Sequence, residues 1–529
     1  MINQNVTHMK KIYSILLFSA LAIAGLEGCK QGLQDETYSV FDASKLSKPE
    51  NGNQAVIGTY AALKDNGGYG YYAGFLYWLY EYPADVVTTT VTSRQGIELD
   101  QLTYNPSNSV INAVWVSIFK MISRANEAEA LVNSIDYKAN GATDQLKQQH
   151  LGEIRFLRAL AYYDATSLWG DVPLILKASA DFTPADLNPV LAKQADVEKA
   201  MIDDLNFAVT NLPASYGQTD IARATSGAAH ALLARLYLRQ GNWQKAADES
   251  NAVITAGVYR LKPKAEGGLK AMFDTTNRSD NEFIFVLKSS NQPGAYAINS
   301  NSFGINSTPW DLNRGYGNFP IHLQFYSIFD KTDDRRNLLT GLYHTLYGQV
   351  MSVPTAYGGV GGAPPDTVLA TYVYNLKYPA ANNYNYAGFN NVTILRYADV
   401  VLTRAEALNE LNGPTSEAAD LVSQVRTRSG LAPVSAGNYT KATFRDLIFD
   451  ERNKEFFMEG RRREDLLRWG KSASGGADVL LKFREKVVPL LRNAATYDPA
   501  INYALYPYPQ NEIQSNTSLS PTINQGRYK

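Results

Sequence analysis

Three glutamates in the C-terminal third of the chain are spaced in a way that could support acid–base chemistry. Glu451, Glu455 and Glu459 recur every four residues, within a stretch predicted to be one helix from Phe444 to Trp469. Glycoside hydrolysis needs two carboxyl groups about 5–9.5 Å apart that face the scissile bond. Here the glutamates share one helical face and alternate with arginines, which is typical of ion pairs. We therefore expect a structural ion-pair lattice and no catalytic residue.

Other residue types that carry chemistry are sparse. The five histidines form no close pair, and neither a G-x-S-x-G motif nor a Cys–His pairing is present. Residues 330–334 are predicted to form a solvated turn, and the glycine-rich residues 358–362 a flexible loop, because two prolines follow and no Lys-Ser/Thr is present. We expect no metal centre and no cofactor, although a calcium site of carbonyl and Asp oxygens stays open.

Aromatic residues are the compositional signal. The 529 residues include 34 Tyr, 20 Phe and 6 Trp, while 50 Lys+Arg against 51 Asp+Glu argue against nucleic acid as a partner. Tyr and Trp present a flat apolar face and a polar edge, which suits the C–H face and hydroxyl rim of a sugar ring. Five of them stand in Gly- or Asn-rich surroundings and are our candidate ligand-binding residues: Trp78, Tyr296, Trp310, Tyr316 and Tyr357.

The elements that must position these aromatics are mostly helices. Apolar residues recur with helical spacing, which predicts helices near 110–135, 145–169, 196–212 and 224–240. Residues 229–258 follow the tetratricopeptide pattern of two helices around a Gly turn, and 397–429 are a looser copy. Between 289 and 392 the periodicity stops: this stretch has ten charged residues, eleven Gly and seventeen aromatics. We predict packed loops with short strands or helices there.

The N-terminus is predicted to be an export signal. Lys10 and Lys11 precede an apolar run from Ile12 to Leu26, which is shorter than the ~20 residues that a membrane-spanning helix needs. The run ends in Leu-Glu-Gly before Cys29, the one Cys of the chain. This ending resembles the lipobox of bacterial lipoproteins, in which the Cys is lipidated. The alternative is an ordinary signal peptide with a chance Cys.

Several motifs together resemble the SusD/RagB-like family of outer-membrane nutrient-binding lipoproteins. They occur in that family's order and span the chain after Cys29: GEIRFLRALAYY at 152–163, LWGDVPL at 168–174, LRYAD at 395–399, the segment 451–469, LYPYPQNEI at 505–513 and the ending 524–528.

The resemblance implies a mainly α fold, with four tetratricopeptide-like helix pairs stacked on one side and an irregular, loop-rich ligand-binding region on the other. It implies a lipoprotein signal peptide at 1–28 and a single SusD-like unit at 29–529. The N-terminal part of this unit would span 29–270, and the C-terminal part 271–529 with the loop-rich insert 289–392. It also implies a partner, a SusC-like TonB-dependent outer-membrane barrel that receives oligosaccharides or polysaccharides at the cell surface.

We therefore expect a non-enzymatic glycan-binding protein that is lipid-anchored in the outer membrane. Two alternatives stay open. The chain is a peptide-binding or other nutrient-binding member of the same fold, or it belongs to another class, as a glycoside hydrolase or a pure scaffold. Low charge in 289–392 disfavours the peptide alternative, because peptide recognition commonly uses charged anchors or backbone pairing.

Overall fold

The helical periodicity of the sequence produces a mainly α structure, which confirms the predicted fold class. In the computed structural model the described residues are 46–64, 70–89, 93–217, 220–274, 276–277, 279–288, 312, 317–359, 367–379 and 391–528. Cys29 and the signal segment before it lie outside them. Lys48–Lys529 form one compact unit.

The first half of this unit is built from helices that pack on their sequence neighbours. Their bounds are α1 Pro49–Ala61, α2 Leu76–Glu81, α3 Arg94–Asp100, α4 Ser109–Ser134, α5 Asp144–Trp169, α6 Gln194–Asn211, α7 Ser226–Gln240, α8 Trp243–Thr255 and α9 Gly268–Met272. Side chains cap the long helices at their start: Asn108 accepts from the first backbone N–H groups of α4, and Thr143 does so for α5.

The two predicted tetratricopeptide pairs are present. Helices α7 and α8 are joined at Gly241, whose φ of 79° gives the left-handed turn that glycine adopts without strain. The second pair comprises α11 Tyr397–Asn412 and α12 Ser416–Arg428, and α11 also packs against α8. Small buried residues such as Ala234 and Ala246 allow close approach within the first pair.

Strands are short and connect distant parts of the chain. Seven are present in the described residues: β1 Val172–Pro173, β2 Leu191–Ala192, β3 Phe283–Leu287, β4 Leu342–His344, β5 Val350–Ser352, β6 Val368–Leu369 and β7 Val392–Arg396. β1 pairs antiparallel with β2, and β3 with β7. β5 is the middle strand of a third sheet, antiparallel to β4 and parallel to β6. The predicted loop region thus contains short strands, together with α10 Leu323–Ser327 and 3₁₀ turns.

The predicted helix from Phe444 to Trp469 is wrong as a single element. The structure has α13 Lys441–Phe456 and α14 Arg462–Ala473, separated by a turn. In this turn Met458 and Gly460 have φ values of 59° and 70°, which a right-handed helix cannot accommodate. Glu459 therefore lies in the turn and not on the face that Glu451 and Glu455 share. Two short helices, α15 Leu481–Lys486 and α16 Gln510–Ser515, complete the chain.

The Tyr-rich stretch before and within α2 is part of the core. Tyr71, Tyr72 and Tyr80 are almost fully buried and all donate to the carboxylate of Asp164 on α5, at 2.6, 2.7 and 3.0 Å. Burial acts to raise the pKa of Asp164, and the three hydroxyl donors oppose that effect. Much of the tyrosine excess is thus explained by packing. None of the helices in the described ranges has the length and apolarity that a bilayer span requires.

Candidate functional site

The candidate aromatics are not brought together within the described residues. Tyr296, Trp310 and Tyr316 lie outside the described ranges. Trp78 lies on α2 and is half-buried, with its ring edge-on to those of Phe75 and Tyr82 at centroid distances of 5.3 Å each. The Trp78 side chain therefore packs inside an aromatic cluster, and its removal would disturb the core.

Tyr357 leads to a cavity in the loop-rich region. It ends a 3₁₀ turn, Thr355–Tyr357, is half-buried, and precedes Gly358 and Gly359, which line the cavity. We call this space, of about 680 Å³, the loop-side cavity. Its lining residues come from α10, the 3₁₀ helix Asp334–Leu338, β4 and the loops around them: Leu312, Tyr326, Lys331, Arg336, Asn337, Leu339, Thr340, Gly341, Leu342, Tyr343, Gly358, Gly359 and Leu376. The volume is in the range of small-molecule sites.

Two tyrosines and one arginine give this cavity its chemical character. The guanidinium of Arg336 lies over the ring of Tyr326, with its carbon 4.7 Å from the ring centroid, and donates to the carbonyl oxygen of Gly358. Tyr343, on β4, is half-exposed on the lining. Tyr326 is buried beneath Arg336, so Tyr343 is the aromatic side chain that the lining exposes beside polar donors, which is the combination that a sugar ring can use.

The first two residues of the predicted glycine loop are hydrogen-bonded to the turn that precedes them. The N–H groups of Gly358 and Gly359 donate to the carbonyls of Thr355 and Pro354, at 2.9 and 3.1 Å. A Cβ on Gly359 would come within 1.7 Å of the Val353 carbonyl oxygen, so this wall of the cavity requires glycine. Residues 360–362 lie outside the described ranges.

A buried ion-pair network adjoins the cavity at two points of the chain. We define it by ten side chains that contact one another: Glu282, Asp333, Arg335, Lys377, Arg396, Arg426, Arg428, Glu451, Glu455 and Glu459. The lattice predicted for the three glutamates is therefore confirmed. Since Arg335 precedes the lining residue Arg336, and Lys377 follows the lining residue Leu376, the network fixes the backbone of the cavity at two points.

The anchoring contacts are tight and enclosed. Arg335 is 1% exposed, and it pairs with Asp333 at 2.9 Å and with Glu451 at 2.7 Å. Lys377 pairs with Glu459 and donates to the carbonyls of Glu455 and Phe457 at 3.0 Å each. The predicted solvated turn at 330–334 is thus wrong for Asp333, which is buried because Arg335 folds back on it.

Electrostatics hold most of the network in its charged form. Burial acts to raise the pKa of Glu455, but Arg428, Arg396 and Arg335 together hold that pKa well below its usual range. Burial lowers the pKa of Lys377 to about 8, and Glu459 limits this shift. Glu451, Glu455 and Glu459 are at most 3% exposed and already engaged with cations, so they do not face a substrate.

Sequence reasoning missed the residues that line the cavity. Tyr326, Lys331, Arg336 and Tyr343 belong to separate short elements, so no spacing rule links them. One signal was available: residues 330–336, which include the Arg pair 335–336, hold six of the ten charged residues between 289 and 392. Within the described residues, no group of three or more His, Cys, Asp or Glu side chains is arranged to hold a metal ion.

Another cavity of similar size, about 650 Å³, lies beside β1 and β2. Its lining includes Leu174, Leu176, Pro189 and Val190 and contains no aromatic residue. It therefore lacks a surface on which a sugar ring could stack, and the loop-side cavity is the better candidate site.

Comparison with known proteins gives a consistent result along the chain. The sequence profile of the SusD family matches residues 320–526, and a profile described as "Starch-binding associating with outer membrane" matches residues 73–238. SusD-like protein P25 of Formosa agariphila is 24% identical, over 97% of this chain and 98% of its own length.

Two further matches agree. Starch-binding protein SusD of Bacteroides thetaiotaomicron is 23% identical over 83% of both chains. Surface glycan-binding protein A from Bacteroides uniformis superposes with a TM-score of 0.71 at 23% identity, covering 91% of this chain and 100% of that chain. That structural likeness establishes the shared fold.

Proposed function

This chain belongs to the SusD family, and from that premise we propose that it is a non-catalytic glycan-binding lipoprotein of the cell surface. It would capture oligosaccharides or polysaccharides and pass them to a SusC-like TonB-dependent transporter in the outer membrane. Residues 1–28 would be removed as a signal peptide, Cys29 would carry the lipid, and 29–529 would act as one unit.

The observation that carries this proposal is the loop-side cavity, with Tyr343 half-exposed on its lining and buried ion pairs at Arg335 and Lys377, the sequence neighbours of two lining residues. A preformed site loses little conformational entropy when it binds its ligand. Related proteins whose names refer to starch and surface glycans supply the ligand class.

Weak binding is sufficient for this role. One aromatic contact contributes roughly 0.5–1.5 kcal/mol beyond burial, so a few sugar rings bind reversibly. Tethering through Cys29 would keep the binding site close to the transporter and raise the effective ligand concentration there.

The binding experiment uses the chain from residue 30 onward in native gels that contain one polysaccharide each. We expect retardation by one or a few glycans, and we expect Tyr343→Ala to lower the affinity about tenfold because one stacking surface is lost. Tyr347→Ala is the matched control, since Tyr347 is exposed on the same β4–β5 hairpin but is not on the lining. Equal affinity for both variants and the wild type would contradict the assignment of this cavity.

The anchor is tested separately. Wild-type chain expressed in a Gram-negative host should partition into the outer-membrane fraction, and Cys29→Ala should appear in the soluble fraction. Co-purification of a TonB-dependent barrel with the wild type in mild detergent would support the transporter partner. Recovery of Cys29→Ala in the membrane fraction at wild-type levels would contradict lipidation at this position.

A further inference from the structure

The lining of the loop-side cavity is charged with one sign. It includes Lys331 and Arg336, and the described lining residues contain no Asp or Glu. This imbalance is local, because the whole chain has a formal net charge of −1. A cavity with an uncompensated positive lining attracts anions, even when the protein as a whole does not.

The acidic residues nearest in sequence form no ion pair with these two cations, although the pKa of Asp330 is lowered by hydrogen bonds from Thr332 and, more weakly, by the charge of Arg336. Asp330 accepts from the backbone N–H and the hydroxyl of Thr332, at 2.8 and 2.7 Å. Asp333 pairs with Arg335 at 2.9 Å, and Asp334 pairs with Lys264 at 2.6 Å. Lys331 itself is exposed, and neither it nor Arg336 forms an ion pair with another described residue.

Arg336 is oriented but incompletely satisfied. Its guanidinium is held over Tyr326 and donates to the Gly358 carbonyl oxygen, while its Nε is buried and has no hydrogen-bond acceptor among the described residues. Buried donors normally find a partner. A guanidinium that is held on an aromatic ring without an anionic partner matches the planar oxygens of a carboxylate or the oxygens of a sulfate.

We propose that the loop-side cavity selects anionic glycans, with a uronate carboxylate or a sulfate group held by Arg336 and Lys331 and a sugar ring against Tyr343. This inference rests on the proposed function, because it names the ligand class of the same cavity. Neutral glycans would bind more weakly, since they leave both cations without a counter-charge.

The test compares polymers that differ in charge alone. Dextran and dextran sulfate share one backbone, and so do polygalacturonate and its methyl ester, so the two pairs distinguish sulfate from carboxylate. We expect the wild-type chain from residue 30 onward to bind at least one charged polymer at least tenfold more tightly than its neutral counterpart in isothermal titration. Raising NaCl from about 50 to 500 mM should weaken that binding several-fold, because exposed charges are screened.

Two variants locate the effect. Lys331→Glu reverses an exposed charge and should lower affinity for the charged polymer about tenfold or more, without unfolding the chain. Arg336→Gln should do the same and should also abolish the preference for charged over neutral polymer. Lys270→Glu is the matched control, because Lys270 is an exposed lysine that does not line the cavity. It carries the same change in net charge and should leave the affinity unchanged.

The outcomes separate this inference from the proposed function. Equal binding of charged and neutral polymers, weakened by Tyr343→Ala but not by Lys331→Glu, would overturn the charge selection and leave glycan binding in place. Equal loss of affinity in Lys331→Glu and Lys270→Glu would also overturn it, because attraction would then be non-specific. Binding of poly-glutamate with no binding of any glycan would overturn both proposals.

Discussion

Two neighbouring regions of this molecule use charge in opposite ways. In the buried ion-pair network, Arg335 meets Asp333, Glu451 and Glu455, and every member has a partner of opposite sign. In the loop-side cavity, Arg336 forms no ion pair with another described residue. Arg335 and Arg336 are adjacent in sequence, yet Arg335 is paired within the fold, whereas Arg336 is the residue that we propose binds the ligand. We therefore expect substitutions in the network to change stability and substitutions at the cavity to change binding.

The network also explains why the cavity keeps its shape. Its members come from the residue before β3, from β7, α12 and α13, and from the turn before α14, so it ties distant parts of the chain to residues 333–335 and 377. Removing one partner of a buried ion pair lowers the free energy of unfolding strongly, because the other charge is left without compensation. Replacing both partners by apolar residues has a much smaller effect.

The largest effect is expected for Arg335→Gln. The substitution leaves Asp333, Glu451 and Glu455 with less compensation in a site that is 1% exposed, so we expect the free energy of unfolding to fall by about 3–5 kcal/mol. Urea denaturation followed by circular dichroism measures the change. Glu417→Gln is the control: its carboxylate is 52% exposed and pairs with Arg404, and we expect less than about 0.5 kcal/mol. An equally small decrease in the free energy of unfolding for both variants would contradict the structural role of the network.

The turn between α13 and α14 gives a pH-dependent effect. Glu81 is 1% exposed and accepts from the backbone N–H of Gly460, while its Oε2 has no partner among the described residues. Burial raises the pKa of Glu81 to about 7. The folded state therefore holds a proton between about pH 4.5 and 7 that the unfolded state has lost, and the free energy of unfolding falls as pH rises through this window.

Between pH 4.5 and 7.5 the free energy of unfolding of the wild type should fall by about 2–4 kcal/mol relative to that of Glu81→Gln, since one pKa unit corresponds to about 1.4 kcal/mol. Urea midpoints of both proteins across this range provide the measurement. The comparison with the variant removes the contributions of other titrating groups. Parallel pH profiles would mean that the pKa of Glu81 is the same in the folded and unfolded states.

A pair of glycines tests how tightly the same turn is packed. Gly460 and Gly475 both have positive φ, 70° and 63°. A Cβ on Gly460 would lie 3.1 Å from Tyr77, whereas nothing lies within 4 Å of one on Gly475. Gly475→Ala should lower the free energy of unfolding by about 1 kcal/mol, from backbone strain alone. Gly460→Ala should lower it by about 2–3 kcal/mol, because the buried ring of Tyr77 must also move. Thermal unfolding should show the Gly460 variant melting lower, and equal melting temperatures would exclude a packing constraint at the turn.

Sequence reasoning succeeded where local rules apply. Helices predicted at 110–135 and 145–169 are found at Ser109–Ser134 and Asp144–Trp169, since their periodicity and caps are encoded in adjacent residues. The ion-pair lattice was also predictable, because Glu and Arg alternate within one segment. The single helix through 444–469 failed because the turn at Met458 and Gly460 is stabilised by contacts with Glu81 and Tyr77, which lie far away in the chain.

The candidate site was harder to predict from the sequence, because it also depends on contacts between residues that are distant in the chain. Tyr357 was selected for its glycine-rich surroundings and does border the cavity, but Tyr326 and Arg336 come together only because separate short elements converge. Trp78 was selected on the same reasoning and packs among Phe75, Tyr82 and Phe319. Composition shows that aromatics are abundant, and tertiary packing decides which of them face a cavity.

The change in stability expected for Arg336→Gln is small, although this residue is next to Arg335, where the largest change is expected. The substitution removes a cation–π contact and one donor to the Gly358 carbonyl, so we expect a loss of about 1 kcal/mol, against 3–5 kcal/mol at Arg335. Urea denaturation of the two variants in parallel gives both numbers. Because Gln cannot carry the charge of the lost guanidinium, ligand affinity should fall even though the fold is retained. A loss at Arg336 as large as that at Arg335 would mean that both arginines serve the fold, and that the cavity has no cation reserved for a ligand.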